Sequence, residues 1–194
     1  MKITIKRANR KTISIKFINN KEAVLTAPIG YSQAKIDAFI LSKKSWIQKT
    51  EKRLNSDAEY LKEVILYKKG MIFGDFINYN ENFKKYYLDL ANNFLPNRIS
   101  KIAKYYGFTY NKVVIKEFKS RWGTCSKDKV IQLNSRLVML NKRVIDYVII
   151  HELCHTLYMD HQKSFHNKLS SYFTDEKAIK AYLKKHAYLT RIKY

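Results

Sequence analysis

Residues 141–161 read NKRVIDYVIIHELCHTLYMDH. Asn141 is placed to cap a helix that the pattern carries to about Met159. Val144, Ile145, Val148, Ile149, Ile150, Leu153 and Leu157 make that helix apolar nearly all round, so it belongs in the centre of a domain. Into this setting the chain puts His151, Glu152 and His155. Burying such groups is costly unless something ligates or pairs with them. Residues four apart stand one turn apart on one face, so both imidazoles can reach a single ion. Glu152 is turned about 100° from His151, close enough to meet a water at that ion without ligating it. With five His and eight Glu in 194 residues, a chance H-E-x-x-H is expected in about 0.5% of such chains. The pattern reads as a site for zinc, one ion per chain.

The third ligand is a choice among His161, His166 and Glu176. His161 stands six residues after His155, past an expected turn at Met159-Asp160, in metzincin-like spacing, although Tyr158 fills the place where metzincins carry Gly. Glu176 would put the third ligand on a later helix, and His166 also reads as an ordinary surface histidine. The spacing favours His161. Three neutral imidazoles leave a fourth position open, which is the catalytic and not the structural pattern. Cys154, between the histidines, reads as a packed thiol.

Around this helix the chain alternates strands and helices. Residues 3–7 and 12–18 have the period of two of strands, and Asn19-Asn20-Lys21 turns the second into AVLTA as a β-hairpin. Ser32 caps a helix expected to run unbroken through residues 33–54. Residues 55–80 carry turn signals at Gly70 and Gly74. A helix follows over 82–106, with Pro96 predicting a kink or break and Gly107 as its C-cap. Strands are expected at 112–118 and 130–134, and further helices at 164–173 and 175–185. The class is α+β, with an N-terminal hairpin and helix lobe over 1–80 and a core over 81–194.

The chain carries 38 Lys+Arg against 16 Asp+Glu, a formal charge of +22. The excess is even, +12 over residues 1–107 and +10 over 108–194, with no basic tail. Such a charge favours polyanions, nucleic acid first among them. Thirty of the cations are Lys in a chain also rich in Ile, Asn, Tyr and Phe, so genome composition is a competing source. A hydrophobic share of 46% excludes wholesale disorder. No apolar run approaches the roughly 18 residues of a membrane span. MKITIKRANRK has no signal-peptide h-region, and two cysteines are too few for a disulfide framework. These features predict a cytoplasmic protein without membrane insertion.

Beyond the helix, Lys119-Ser120-Arg121-Trp122-Gly123-Thr124-Cys125-Ser126, Ile131-Gln132-Leu133-Asn134, Asp146-Tyr147-Val148 and His161-Gln162-Lys163-Ser164-Phe165 together resemble the YgjP-like metal-dependent hydrolases. That family is related to the WLM and SprT-like proteases, some of them tied to DNA–protein crosslink repair. The likeness extends to the hairpin, the Ala27-Pro28 turn and Trp46-Ile47. It implies a zincin-like metallopeptidase core, a small mixed sheet over the buried histidine helix. It further implies His151, His155 and His161 as zinc ligands and Glu152 as the catalytic base. Thr124 stands where the family usually has Ser, His166 where it often has Trp, and the segment around 70–80 looks shortened. These departures bear on substrate preference.

In that arrangement Glu152 would take a proton from the attacking water and pass it to the leaving amine. Arg121 or Tyr158 would stabilise the oxyanion; Arg121 and Trp122 read equally well as a structural turn. Residues 130–134 are expected to form the edge strand on which an extended peptide adds, with Gln132 and Asn134 facing it. The expected partner is a peptide or protein substrate, with nucleic acid as a second candidate partner on the strength of the +22 charge. Two other readings compete: hydrolysis of a non-peptide bond such as a nucleotide phosphoanhydride, and a polyanion-binding module with structural zinc. The intact Glu152 beside three histidines argues against the last.

Overall fold

The computed structural model describes residues 1–66, 69–79 and 82–192. The chain forms two compact units, with the division along the chain between Ile65 and Leu66. The class is mixed α+β, with three small sheets and six α-helices among the described residues.

In the first unit β1 (Lys2–Ala8), β2 (Ser14–Phe17) and β3 (Glu22–Pro28) form a sheet in the order β1-β3-β2. β2 and β3 are the antiparallel hairpin that the Asn-Asn-Lys turn predicts, while β1 joins β3 in parallel. Alternate residues Leu25 and Ala27 pack on Ile36 of α1 (Gln33–Ser42), with Ile3, Ile13, Ile15 and Phe39 around them. Ser32 caps α1, but the helix is not continuous to residue 54. The Ser42 hydroxyl donates to the Phe39 carbonyl at 2.8 Å and competes with the helical ladder. Lys43 leaves helical geometry, and α2 (Lys44–Leu66) begins beyond it.

The second unit opens with the ribbon β4 (Lys69–Ile72) and β5 (Asp75–Asn78). The Phe73 and Gly74 amides donate to the carbonyls of Val138 and Met139 at 2.7 and 3.2 Å. Residues 69–79, grouped above with the N-terminal lobe, are therefore tied to the core that follows. α3 (Phe83–Tyr106) runs unbroken through Pro96. Its buried stripe of Tyr87, Ala91, Leu95, Ile99 and Ile102 holds both sides of the proline to one face, which outweighs the lost ladder bond. Gly107 closes it in a left-handed conformation.

A mixed three-stranded sheet follows, made of β6 (Lys112–Lys116), β7 (Gly123–Cys125) and β8 (Val130–Asn134). Its order is β6-β8-β7, parallel between β6 and β8 and antiparallel between β8 and β7. The 130–134 segment is therefore the central strand, paired on both sides, and not an edge. β7 takes the edge, a three-residue strand too short for a periodicity reading. A 3-10 turn over Ser135–Met139 leads to α4 (Lys142–Cys154), capped by Asn141 through the Val144 amide at 2.9 Å. α5 (Lys163–Ser170), α6 (Glu176–Lys185) and a 3-10 turn over Ala187–Arg191 complete the unit.

Candidate active site

α4 stops at Cys154 and not near Met159. The Thr156 hydroxyl donates to the Leu153 carbonyl at 2.7 Å, and the Leu157 and Tyr158 amides both donate to the Cys154 carbonyl. The chain folds back, and Leu157 is left exposed. His155 stands at the helix C-cap, buried, and its Nδ1 lies 3.0 Å from the Tyr158 carbonyl. A carbonyl only accepts, so Nδ1 carries the proton and Nε2 keeps its lone pair. The same reversal returns His161 to His151, with the two Nε2 atoms 3.2 Å apart.

Ligand atoms of His151, His155 and His161 all lie within 4.8 Å of one another. Phe165, fully buried on α5, packs against all three imidazoles at centroid distances of 4.9, 4.6 and 4.7 Å. Burial, followed by the neighbouring imidazoles, pushes the His151 pKa down to about 3. Burial also lowers that of His155, partly offset by the Tyr158 carbonyl. Burial thus favours the neutral ring at His151 and His155, and with His161 three donor nitrogens come together in a way that fits a metal ion. Bonds of 2.0–2.1 Å in tetrahedral geometry separate two ligand nitrogens by about 3.4 Å, close to the observed 3.2 Å. An all-imidazole set suits zinc, copper, iron or nickel better than calcium or magnesium.

The other candidates fall elsewhere. Glu176 accepts from the Tyr147 hydroxyl at 2.9 Å and pairs with Lys180 at 2.6 Å, outside the histidine group. His166 is exposed, 6.3 Å from His161 ring to ring, and is not part of that group.

Glu152 is buried on the next position of α4. Desolvation raises its carboxyl pKa to about 8, against the lowering influence of the Arg121 guanidinium. Its carboxylate lies against Gly123 of β7, where a β-carbon would stand 2.7 Å from Oε1. Arg121 is exposed, stacked 5.9 Å from the Phe118 ring centroid, and near enough to Glu152 to act on its charge. Tyr158 is 37% exposed and contributes its carbonyl to His155.

Gln132 and Asn134 lie on the central strand, which has no free edge for a peptide. Asn134 is fully buried, and its Nδ2 donates to the carbonyls of Phe118 and Arg121, both at 2.9 Å. Its side chain holds the 118–122 loop, and with it Arg121. Sequence reasoning missed two contributors, Gly123 and the Tyr158 carbonyl. The first could have been sought in the glycine beside Trp122; the second is backbone, and no residue type signals it.

Clustered imidazoles and a buried carboxylate stand together on and just beyond one core helix, a donor set that suits a metal-dependent hydrolytic enzyme. The YgjP-like metallopeptidase domain matches residues 78–186, more than half of the chain and the part that holds the histidine group and Glu152. The chain belongs to the YgjP-like metallopeptidase family. A solved structure, the metallopeptidase zymogen of jannalysin from Methanocaldococcus jannaschii, is similar over 46% of this chain and 91% of that one, with 25% identity and a TM-score of 0.40. No curated protein matches. Among the described residues no helix is long and apolar enough to cross a membrane.

Proposed function

We propose that the chain is a zinc-dependent peptidase with a zincin-type core, in which His151, His155 and His161 hold the ion and Glu152 is the general base. The observation that carries this reading is the convergence of three imidazoles beside a buried carboxylate. When bound, zinc supplies Lewis-acid polarisation of a carbonyl and a nucleophilic water near neutral pH.

The chain's own residues supply the rest. The Tyr158 carbonyl fixes the tautomer of His155, so that Nε2 keeps the lone pair that would hold the ion. Phe165 excludes water from the back of the three rings. A Glu152 carboxylate oxygen, which a bound dication would keep ionised, takes the proton of the attacking water and passes it to the leaving amine. Its position against Gly123 fixes where that proton is held. Arg121, the one of the two stabiliser candidates whose charge reaches Glu152, is the better placed to meet a developing oxyanion. An extended peptide adds to the free edge of β7, the strand that touches Glu152, and not to β8. The +22 charge supports substrates that are proteins associated with nucleic acid.

The test is cleavage of a fluorophore-labelled unfolded protein by wild type and Glu152→Gln, with zinc content measured on both. Wild type cleaves; Glu152→Gln keeps one zinc per chain and loses at least a hundredfold in rate. Equal rates remove Glu152 from the mechanism. A zinc-loaded wild type that cleaves no protein turns the assignment towards a non-peptide bond.

A further inference from the structure

A second feature of this unit has no part in hydrolysis. A groove of about 620 Å³ runs between the last turns of α3 and the outer face of α4, with buried Ile150 among its lining residues. Arg98, Lys101, Tyr105, Tyr106, Arg143 and Tyr172 also line it. Tyr105 is 81% exposed, although tyrosine is ordinarily intermediate in burial. It sits edge-on to Tyr106 at 4.7 Å, which sits edge-on to Tyr172 at 4.6 Å. Three rings thus form a connected row whose outer member offers its face to solvent.

Cations border this row. Lys168 Nζ lies 5.2 Å from the centre of the Tyr172 ring. Lys101 is exposed and makes no ion pair among the described residues. Two carboxylates are present, and both are engaged. Arg98 grips Asp146 through Nε and Nη2 at 2.7 and 2.5 Å, and Arg143 grips Asp175 through the same atoms at 2.7 and 2.6 Å. Each pair fixes the plane of its guanidinium while leaving Nη1 without a hydrogen-bond partner among the described residues. Fixed guanidinium planes suit phosphate oxygens, because the side-chain entropy of ordering them is already spent in the fold.

We propose that this groove binds single-stranded nucleic acid, with a base on the face of Tyr105 and the backbone phosphates on Lys101, Lys168, Arg98 and Arg143. Exposed aromatic faces interleaved with cations are what an unpaired strand requires: stacking for its bases and counter-charge for its backbone. An acidic peptide would use the cations and leave Tyr105 unexplained. A duplex keeps its bases stacked on one another and has none free for the ring. The groove shares α4 with His151, so a strand held there lies on the helix that carries the histidine site. The binding is independent of the peptidase assignment, since its test reads no hydrolysis.

The test is fluorescence anisotropy of labelled oligothymidylate, about 16 nucleotides long, titrated with Glu152→Gln protein so that turnover is absent. Oligouridylate and a duplex of equal length form the other arms. Tyr105→Ala is expected to weaken single-strand binding about tenfold or more, and Tyr105→Trp to restore it. Lys101→Glu weakens binding and makes the salt dependence shallower by about 0.7 in slope. Lys127→Glu, the same charge change on the turn between β7 and β8, leaves binding within twofold. Preference for either single strand over the duplex supports the groove, and the ratio of the two identifies DNA or RNA as the natural ligand. Equal losses in Lys101→Glu and Lys127→Glu, or an unaffected Tyr105→Ala, overturn the proposal and reduce binding to net charge. Tighter binding of the duplex overturns it also. Since Tyr105 is so exposed, its truncation removes no core packing, and matching melting curves verify that the variants fold.

Discussion

The Glu152 carboxylate rests directly on the backbone of Gly123, so closely that a β-carbon there would stand 2.7 Å from Oε1 and 2.8 Å from Cγ. No ordinary side-chain contact is that short, so residue 123 must be glycine for the carboxylate to stay where it is. An edge strand and the core helix are thereby locked in register at the one point where proton transfer is proposed to occur.

Gly123→Ala should therefore displace Glu152 without touching the histidines. The expected result is a loss of about a hundredfold in kcat, the scale on which sub-ångström to 1 Å misplacement acts. Zinc content should be unchanged. Steady-state kinetics paired with metal analysis check this, and an alanine variant with wild-type kcat would show that the contact does not matter.

His161 and His166 can be told apart by metal affinity. His161→Ala removes a member of the converging group and should weaken zinc binding by more than the 10–100-fold typical of losing an outer partner. His166→Ala should leave affinity unchanged, because that ring lies outside the group. Competition against a chromogenic chelator measures both, and the opposite ranking would move the third ligand to α5.

Chelation should lower the melting temperature. An ion held at a hundred times its dissociation constant stabilises the folded state by about 2.7 kcal/mol, which for a chain of this size is roughly 5–10 °C. Calorimetry with and without chelator reads the difference. The His151→Ala variant should lose most of the response.

Arg136 closes the second unit at a distance from the histidines. Its Nη1 and Nη2 donate to the Thr190 and Ile192 carbonyls, both at 2.7 Å, and Nη2 pairs with Glu117 at 3.2 Å. Glu117 also accepts from the Tyr87 hydroxyl at 2.9 Å. Removing the buried guanidinium in Arg136→Met should cost about 3 kcal/mol, measured by urea denaturation.

The same cluster sets an acid dependence. Burial pushes the Glu117 carboxyl up, but the Tyr87 hydroxyl, Arg136 and Lys84 outweigh it and hold its pKa below the usual range. A carboxyl depressed on folding contributes stability that is complete above its unfolded pKa of about 4.3 and is lost as pH falls through the lower folded value. The stability gap between wild type and Glu117→Gln should be constant from pH 7 to 5 and close below pH 4. A gap that widened on acidification would reverse the sign of the argument.

Much of this protein was legible in residues 141–155, because the interactions there are local. A cap lies three residues from the amide it satisfies, and histidines four apart share a face whatever surrounds the helix. The β2–β3 hairpin was legible for the same reason, its turn lying between the strands it joins. The reading failed where a side chain intervened in the ladder: Ser42 interrupts one helix and Thr156 ends another, through hydroxyls that periodicity does not register.

The order β6-β8-β7 depends on contacts between residues far apart in the chain. No pattern within residues 130–134 tells a central strand from an edge one. The position of Asn134 as a brace for the loop, and not a substrate contact, follows from that order. So does the place of Gly123 under Glu152. The sequence by itself determined the α+β class, the buried helix and the donor types it carries, since these follow from spacing along one element. Only the tertiary structure decided which strand borders the carboxylate, how the chain doubles back to bring His161 within 3.2 Å of His151, and where Tyr105 is left bare. Each of these is fixed by packing between separate elements, whose free energy no single stretch of sequence contains.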